Sequence, residues 1–239
     1  MQRATVTQKI HHALLRRAWN AGPRTRHFEF EMMNGRHFEF QPGQFISLHI
    51  KLQGQRLARA YSIASRIDNR FELVLNVGPE ELVSPWLLGL KGGDAIEFTG
   101  PYGAFQLHHP LTRISAFIAT GTGIAPIRAM LQELYHQDRP DEAWLIFGVR
   151  KEADILYREE FEKLAKRYPG FHFIPTLSRP DAGWSGHAGY VQQQIKKYLS
   201  GKQGLHAYIC GSPKMVQEVR GLLRTLGYGP EAVSYEKLE

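Results

Sequence analysis

The chain is poor in cysteine, in long apolar runs and, at its start, in acid. Cys210 is the sole cysteine of 239 residues, so no intramolecular disulfide can form, and a cysteine-ligated iron–sulfur cluster or Cys-rich zinc site lacks its ligands. Cytoplasmic residence is the default expectation. The longest apolar stretches, Ile114 to Ala119 and Ala143 to Phe147, fall far short of the roughly 20 residues a helix needs to span a bilayer. No membrane partner is expected, and no apolar run of the secretory type opens the chain. Before Glu29 there is no acid, while Arg3, Lys9, Arg16, Arg17, Arg24 and Arg26 all fall there, within a chain of formal charge +7. Such a segment suits an acidic partner or forms a solvated basic face. Nucleic acid is not expected, because the cations are not interleaved with a recognised nucleic-acid motif. Metal ligands are missing as well: His11-His12 and His108-His109 are adjacent pairs without ligand spacing, and they read as surface or turn histidines.

What is present divides into two periodicities. From Thr5 to about Leu107 short alternating segments are punctuated by Gly and Pro, as in Arg36 to Phe40, then Pro42-Gly43, then Phe45 to Ile50. Period two with turn residues between predicts antiparallel strands. Arg70 to Val77 and Asp94 to Phe98 continue the pattern, and only Ser84 to Leu90 reads as helix. A small antiparallel β-barrel follows. After Pro110, apolar strand-like runs alternate with amphipathic stretches: Ile114 to Ala119, Ile124 to His136, Ala143 to Phe147, Arg158 to Lys166, Phe171 to Leu177, Tyr190 to Leu199, Leu205 to Cys210, Pro213 to Leu226 and Ala232 to Tyr235. That alternation predicts an α/β domain on a parallel sheet. The expected domains are 1–109 and 110–239.

In the second half Ala119-Thr-Gly-Thr-Gly-Ile-Ala-Pro126 carries an apolar strand into a Gly-rich turn that opens a helix. Gly121, Thr122 and Gly123 there suit a pyrophosphate, since glycine lets backbone approach an anion and the helix start offers free N–H groups. An ordinary strand-to-helix turn has the same shape. In the first half Arg59-Ala-Tyr-Ser-Ile-Ala-Ser65 packs a cation, an aromatic and hydroxyls into one extended stretch, with Arg59, Tyr61 and Ile63 on one face. Taken alone it also fits an Arg on a strand edge beside a half-buried Tyr.

Seven motifs stand in order: Pro42-Gly-Gln-Phe45, Arg59-Ala-Tyr-Ser62, Gly100-Pro-Tyr-Gly-Ala-Phe105, Gly121-Thr-Gly-Ile-Ala-Pro126, Ser178-Arg179, Cys210-Gly-Ser-Pro213 and Tyr235-Glu236. In that order, over essentially the whole chain, they resemble the ferredoxin-NADP reductase superfamily. The resemblance implies a bound flavin, FAD before FMN, exchanging hydride with NAD(P)H and single electrons with a separate carrier. That carrier would be an acidic ferredoxin or flavodoxin, or an oxygenase component. A flavin reductase that releases its flavin is the alternative.

The resemblance also implies residue roles. Arg59 would pair with a flavin phosphate, Ala60 and Tyr61 would lie along the flavin, and Ser62 would hydrogen-bond near its N5. Ser84 would cap a short helix whose first turn meets the flavin pyrophosphate, although Glu81 stands where the family usually has Gly. Arg150, Ser178 and Arg179 would meet the adenosine ribose, and arginine there suits the 2′-phosphate of NADPH, which is preferred over NADH. Cys210 would pack near the nicotinamide, Glu236 would assist electron or proton transfer, and Tyr235 would stand near the flavin. The end Lys237-Leu-Glu239, lacking the terminal aromatic of plant-type relatives, implies a more open flavin face.

Overall fold

Alternating apolar residues in the first half pair into an antiparallel sheet. The computed structural model describes residues 9–52, 54–65, 70–79, 82–136 and 142–238, so Arg3 and Glu81 lie outside the described residues. Strands β1 (Ile10–Gly22), β2 (Thr25–Met32), β3 (Phe45–Leu52), β4 (Gln55–Ser62) and β5 (Arg70–Asn76) precede a short helix α1 (Ser84–Gly89) and β6 (Ala95–Tyr102). Their order in the sheet is β4-β3-β6-β1-β2-β5. An antiparallel bridge between Ile63 and Leu73 joins the end of β4 to β5 and closes the barrel. Its interior is filled by inward residues of every strand, among them Leu15, Phe28, Phe30, Ile46, Leu48, Phe71 and Phe98, all essentially inaccessible.

Arg36 to Phe40, expected as a strand, is not one. Its alternation is real, because Phe38 and Phe40 are buried while Arg36, His37 and Glu39 are exposed. The segment has no ladder partner; it inserts Phe38 against Phe40, Phe71 and Phe98. The N-terminal cations are also partly spent within the barrel. Arg16 pairs with Glu31 at 2.9 Å and Arg17 with Glu29 at 2.7 Å across the β1–β2 hairpin.

The second half runs β7 (Ile114–Thr120), α2 (Ile124–His136), β8 (Glu142–Val149), α3 (Arg158–Arg167), β9 (Phe171–Leu177), β10 (His187–Ala188), α4 (Val191–Tyr198), β11 (Leu205–Gly211), α5 (Pro213–Thr225) and β12 (Val233–Lys237). All pairs in this sheet are parallel, in the order β10-β9-β8-β7-β11-β12. Side chains alternate between its faces. Ala116, Ile118, Ala207 and Ile209 pack under α4 and α5. Phe117, Ala119, Tyr208 and Cys210 pack with α2, α3 and three barrel residues, Ala64, Val74 and Phe105. The barrel therefore sits on the α2–α3 face and shares its core. No helix among the described residues is long and apolar enough to cross a membrane.

Candidate active site

The chain leaves β7 for β8, β9 and β10 on one side and returns to β11 on the other. Open α/β sheets bind ligands outside the carboxyl ends of their strands at such a reversal. Here β7 runs into a single 3-10 turn, Gly121–Gly123, which leads directly into α2. Gly121 adopts a φ of 55°, with open space where a side chain would stand. Gly123 is needed for close approach, because an added Cβ would lie 2.3 Å from the Cys210 carbonyl oxygen. The loop after β7 is thus pressed onto the end of β11, and Thr122 remains half-buried between the two glycines.

Cys210 itself is buried, and its register partner on β12 is Glu236. Neighbours in a parallel ladder point to the same face, here the face that meets the barrel. There the Ser62 hydroxyl at the end of β4 donates to Glu236 Oε1 at 2.9 Å. Ser62, Glu236 and Cys210, taken from the sequence as a group, are brought together across the two domains. Burial raises the Glu236 carboxyl above its ordinary value, and the Ser62 hydrogen bond pulls it partly back. Burial, with the Glu236 charge beside it, holds the Cys210 thiol well above the ordinary thiol value. It therefore stays protonated and is no nucleophile.

Upstream of Ser62, β4 pairs with β3 on one side, Tyr61 opposite Ile46 and Arg59 opposite Leu48. Tyr61 is half-buried against the barrel core, whereas Ala58, Arg59 and Ala60 are exposed. Arg59 Nη1 donates to the neighbouring Ala58 carbonyl at 3.0 Å, and its guanidinium has no acidic partner among the described residues. A planar fork of donors is left for an anion on the strand that ends at Ser62. This fits a flavin phosphate.

At the carboxyl ends of β8 and β9 the backbone brings two further arginines, Arg150 and Arg179, next to each other. The Arg179 amide donates to the Arg150 carbonyl at 2.9 Å, and the Ser178 amide to Val149 at 3.0 Å. Both Arg150 and Arg179 are exposed, with no acidic partner among the described residues. Neighbouring Lys151 does have one, Asp181 at 3.3 Å.

Two sequence expectations need correction. Ser84 is not the cap of α1: Val83 takes that position, and the Ser84 hydroxyl is buried, donating to the Gly78 carbonyl at 2.9 Å. The helix starts one residue early because Pro85 is accepted anywhere in the first turn. Tyr235 faces away from Glu236. It pairs with Ile209 on the α5 side of the sheet, where the Arg220 guanidinium lies 3.9 Å from its ring centre. Sequence reasoning also passed over Arg128, a cation within the apolar run of α2 that is 9% exposed and reaches into the barrel. A lone Arg among Ile127, Ala129, Met130 and Leu131 was the available signal.

Comparison with known proteins matches both halves in order. A family described as oxidoreductase FAD-binding domain matches residues 13–107, and one described as oxidoreductase NAD-binding domain matches 117–221. Ferredoxin--NADP reductase B of Sorangium cellulosum (strain So ce56) is 36% identical over 226 residues, covering 91% of this chain and 93% of that protein. The toluate 1,2-dioxygenase electron transfer component of Pseudomonas putida is 35% identical over 201 residues, which cover 83% of this chain and 58% of that protein. The crystal structure of an Amycolatopsis cytochrome P450 reductase superposes with a TM-score of 0.86 at 27% identity, over 98% of this chain and 73% of that one. Barrel, parallel sheet and ordered motifs agree with these matches, and the chain belongs to the ferredoxin-NADP reductase superfamily of FAD- and NAD(P)-dependent oxidoreductases.

Proposed function

We propose that this chain takes hydride from NADPH at the carboxyl edge of its parallel sheet and delivers single electrons to a separate acidic carrier protein. The observation that carries the reading is the 2.9 Å contact between Ser62 of the barrel and Glu236 of β12, with Cys210 alongside. It joins the end of the Arg59–Ser62 strand to the mouth of the nucleotide loop. When bound, FAD supplies the exchange between a two-electron hydride and single electrons.

The chain's own residues would bind and orient the two cofactors. Arg59 would hold a flavin phosphate, Ala60 and Tyr61 would line the flavin, and Ser62 would offer it a hydroxyl. Gly121, Thr122 and Gly123 offer backbone N–H groups to the dinucleotide pyrophosphate. Ser178, Arg150 and Arg179 would meet the adenosine end, and two guanidinium groups without an acidic partner among the described residues favour a 2′-phosphate over free ribose hydroxyls. Cys210 would pack against the nicotinamide. Burial raises the proton affinity of the Glu236 carboxyl, and the Ser62 hydroxyl donates to it, so the pair would serve proton movement at this edge.

The acceptor class is supported by what the relatives are called: a ferredoxin reductase and an oxygenase electron transfer component. A ferredoxin or flavodoxin, acidic against this chain's formal charge of +7, or an oxygenase component fits that role. A cytoplasmic setting fits the single thiol. The test is anaerobic rapid mixing of the purified protein with NADPH or NADH while flavin absorbance is followed. A yellow protein that releases FAD on denaturation and is bleached faster by NADPH is expected. Bleaching by neither nucleotide would sink the reading. Colourless protein that takes up flavin weakly and gives it back would favour a flavin reductase.

A further inference from the structure

Arg128 lies on α2, five residues beyond Gly123, with its guanidinium spent on both domains at once. Nη1 donates to the Ala64 carbonyl at 2.7 Å and to Glu72 Oε2, and both acceptors belong to the barrel. Nε donates to Glu160 Oε2 on α3 at 2.8 Å. The face of the guanidinium rests 4.3 Å from the Tyr157 ring centre. The Tyr157 hydroxyl and His27 Nδ1 share a hydrogen bond at 2.9 Å. His27 Nε2 stands 3.4 Å from Glu72 Oε2, and the Trp19 ring stacks on the imidazole at 3.9 Å. The cluster therefore runs from the β1–β2 hairpin through β5 to α2 and α3.

A bland account makes this an ion cluster that only glues the domains. Desolvation makes buried ion pairs poor sources of net stability, and their best-attested use is to fix one arrangement over others. Hydrogen bonding supplies the arrangement here. Ala64 is two residues beyond Ser62, and the same helix that presents Arg128 begins at the Gly121–Gly123 turn. One guanidinium thus ties the strand end that carries Ser62 to the helix that carries the nucleotide loop. A fork of donors spans a carbonyl and two carboxylates in a fixed plane, which the point charge of a lysine does not.

We infer that Arg128 is a positioning residue for hydride transfer: by holding Ala64 and Glu72 onto α2 it sets the separation between the Ser62 strand end and the nucleotide loop. The inference rests on the hydride-transfer reading above. Its reach is set by chemistry that depends steeply on distance, where a misplacement of about 1 Å costs on the order of a hundredfold in rate.

The test compares the flavin-loaded wild type with Arg128→Lys, which keeps the charge and loses the fork, and with Arg128→Ala. Single-turnover mixing with NADPH gives the limiting rate and the half-saturating concentration, and hydrogen–deuterium exchange reports the backbone independently of turnover. For Arg128→Lys the limiting rate is expected to fall on the order of tenfold to a hundredfold while half-saturation stays within about twofold. Exchange is expected to speed up together in the peptides around Ala64 and around Gly121 to Ala125, and to stay unchanged in α4 and α5. An unchanged limiting rate overturns the inference. So does exchange that rises uniformly over the chain, the mark of a purely structural role, or that stays unaltered around Ala64. If Arg128→Ala does not fold, Arg128→Lys decides alone. Wild-type protein that neither nucleotide bleaches would defeat the hydride-transfer reading itself, an outcome separate from any difference among the variants.

Discussion

Ser62 and Glu236 are 174 positions apart in sequence and 2.9 Å apart in the fold. A largely buried carboxyl with one hydroxyl donor is sensitive to losing it, because the donor stabilises the charged form against desolvation. That hydrogen bond lowers a proton affinity that burial raises. In Ser62→Ala the Glu236 carboxyl therefore moves still further up, and any limb it contributes to the pH dependence of flavin reduction shifts to higher pH. The limiting rate is expected to fall on the order of tenfold or more, as for the loss of one aligned donor at a reacting atom. A pH–rate profile of the variant checks both; an unmoved limb would mean that Glu236 does not titrate in this range. Arg179 makes a separate case at the same scale. It is exposed beside Arg150, so Arg179→Ala removes no packing and its effect is read in nucleotide choice alone. Loss of a charge-assisted pair to a 2′-phosphate costs about 1.5–3 kcal/mol, hence roughly tenfold to a hundredfold in NADPH half-saturation, with NADH spared. Equal losses with both nucleotides would show that Arg179 does not read the phosphate.

At the scale of elements, the turn between β7 and α2 is fitted to the end of β11 with no slack. A Cβ on Gly123 would meet three backbone atoms, the Cys210 carbonyl oxygen at 2.3 Å, its carbon at 2.6 Å and the Gly211 nitrogen at 2.8 Å. Backbone cannot swing aside as a side chain can, so Gly123→Ala must push the loop from the strand. The expected cost is about 1–3 kcal/mol of stability, together with weaker nucleotide binding; calorimetry and titration with NADP+ measure the two. Wild-type affinity in Gly123→Ala would argue that the loop does not hold the pyrophosphate. Helices of the second half were legible in the sequence because their period is undisturbed: the apolar spacing from Ile124 to His136 gives the bounds of α2 as found. The β1–β2 hairpin was not legible, since its alternation is broken by irregularities between Leu15 and Arg17 and between Asn20 and Gly22. Phe38 and Phe40 misled for the opposite reason, alternating without a ladder. Short motifs such as Arg59-Ala-Tyr-Ser62 were readable because their residues are contiguous on one strand, β4. The partnerships of Ser62 with Glu236 and of Arg128 with Glu72 were not, since each depends on how the barrel settles on the sheet.

For the whole molecule, the shared core and the Arg128 cluster make the two domains one acid-sensitive body. His206 is buried beneath His108, its Nε2 sharing a hydrogen bond with Ser234 Oγ at 2.9 Å. Burial, with His108 beside it, lowers its pKa from 6.5 to about 4. The imidazole is neutral in the fold, while the unfolded chain takes up a proton near 6.5, so stability is complete above that value and is lost as pH falls from 6.5 toward 4. Glu72 follows in a lower window. Burial alone would raise it, but His27, its Nε2 3.4 Å from the carboxylate, and the Arg128 guanidinium together hold it at about 2, against an ordinary 4.5. Its contribution is present above 4.5 and disappears as pH falls from there toward 2. Glu236, raised in the fold, works the other way and favours the folded state as pH falls. With the two large shifts acting in one direction, the unfolding temperature is expected to drop on the order of 5 °C or more between pH 7 and pH 5, and to go on falling below pH 4.5. His206→Gln should flatten the upper window and leave the lower one, whereas Glu72→Gln should do the reverse. Thermal unfolding across that range, read for all three proteins, decides it: an upper window that persists in His206→Gln would remove the imidazole from the account.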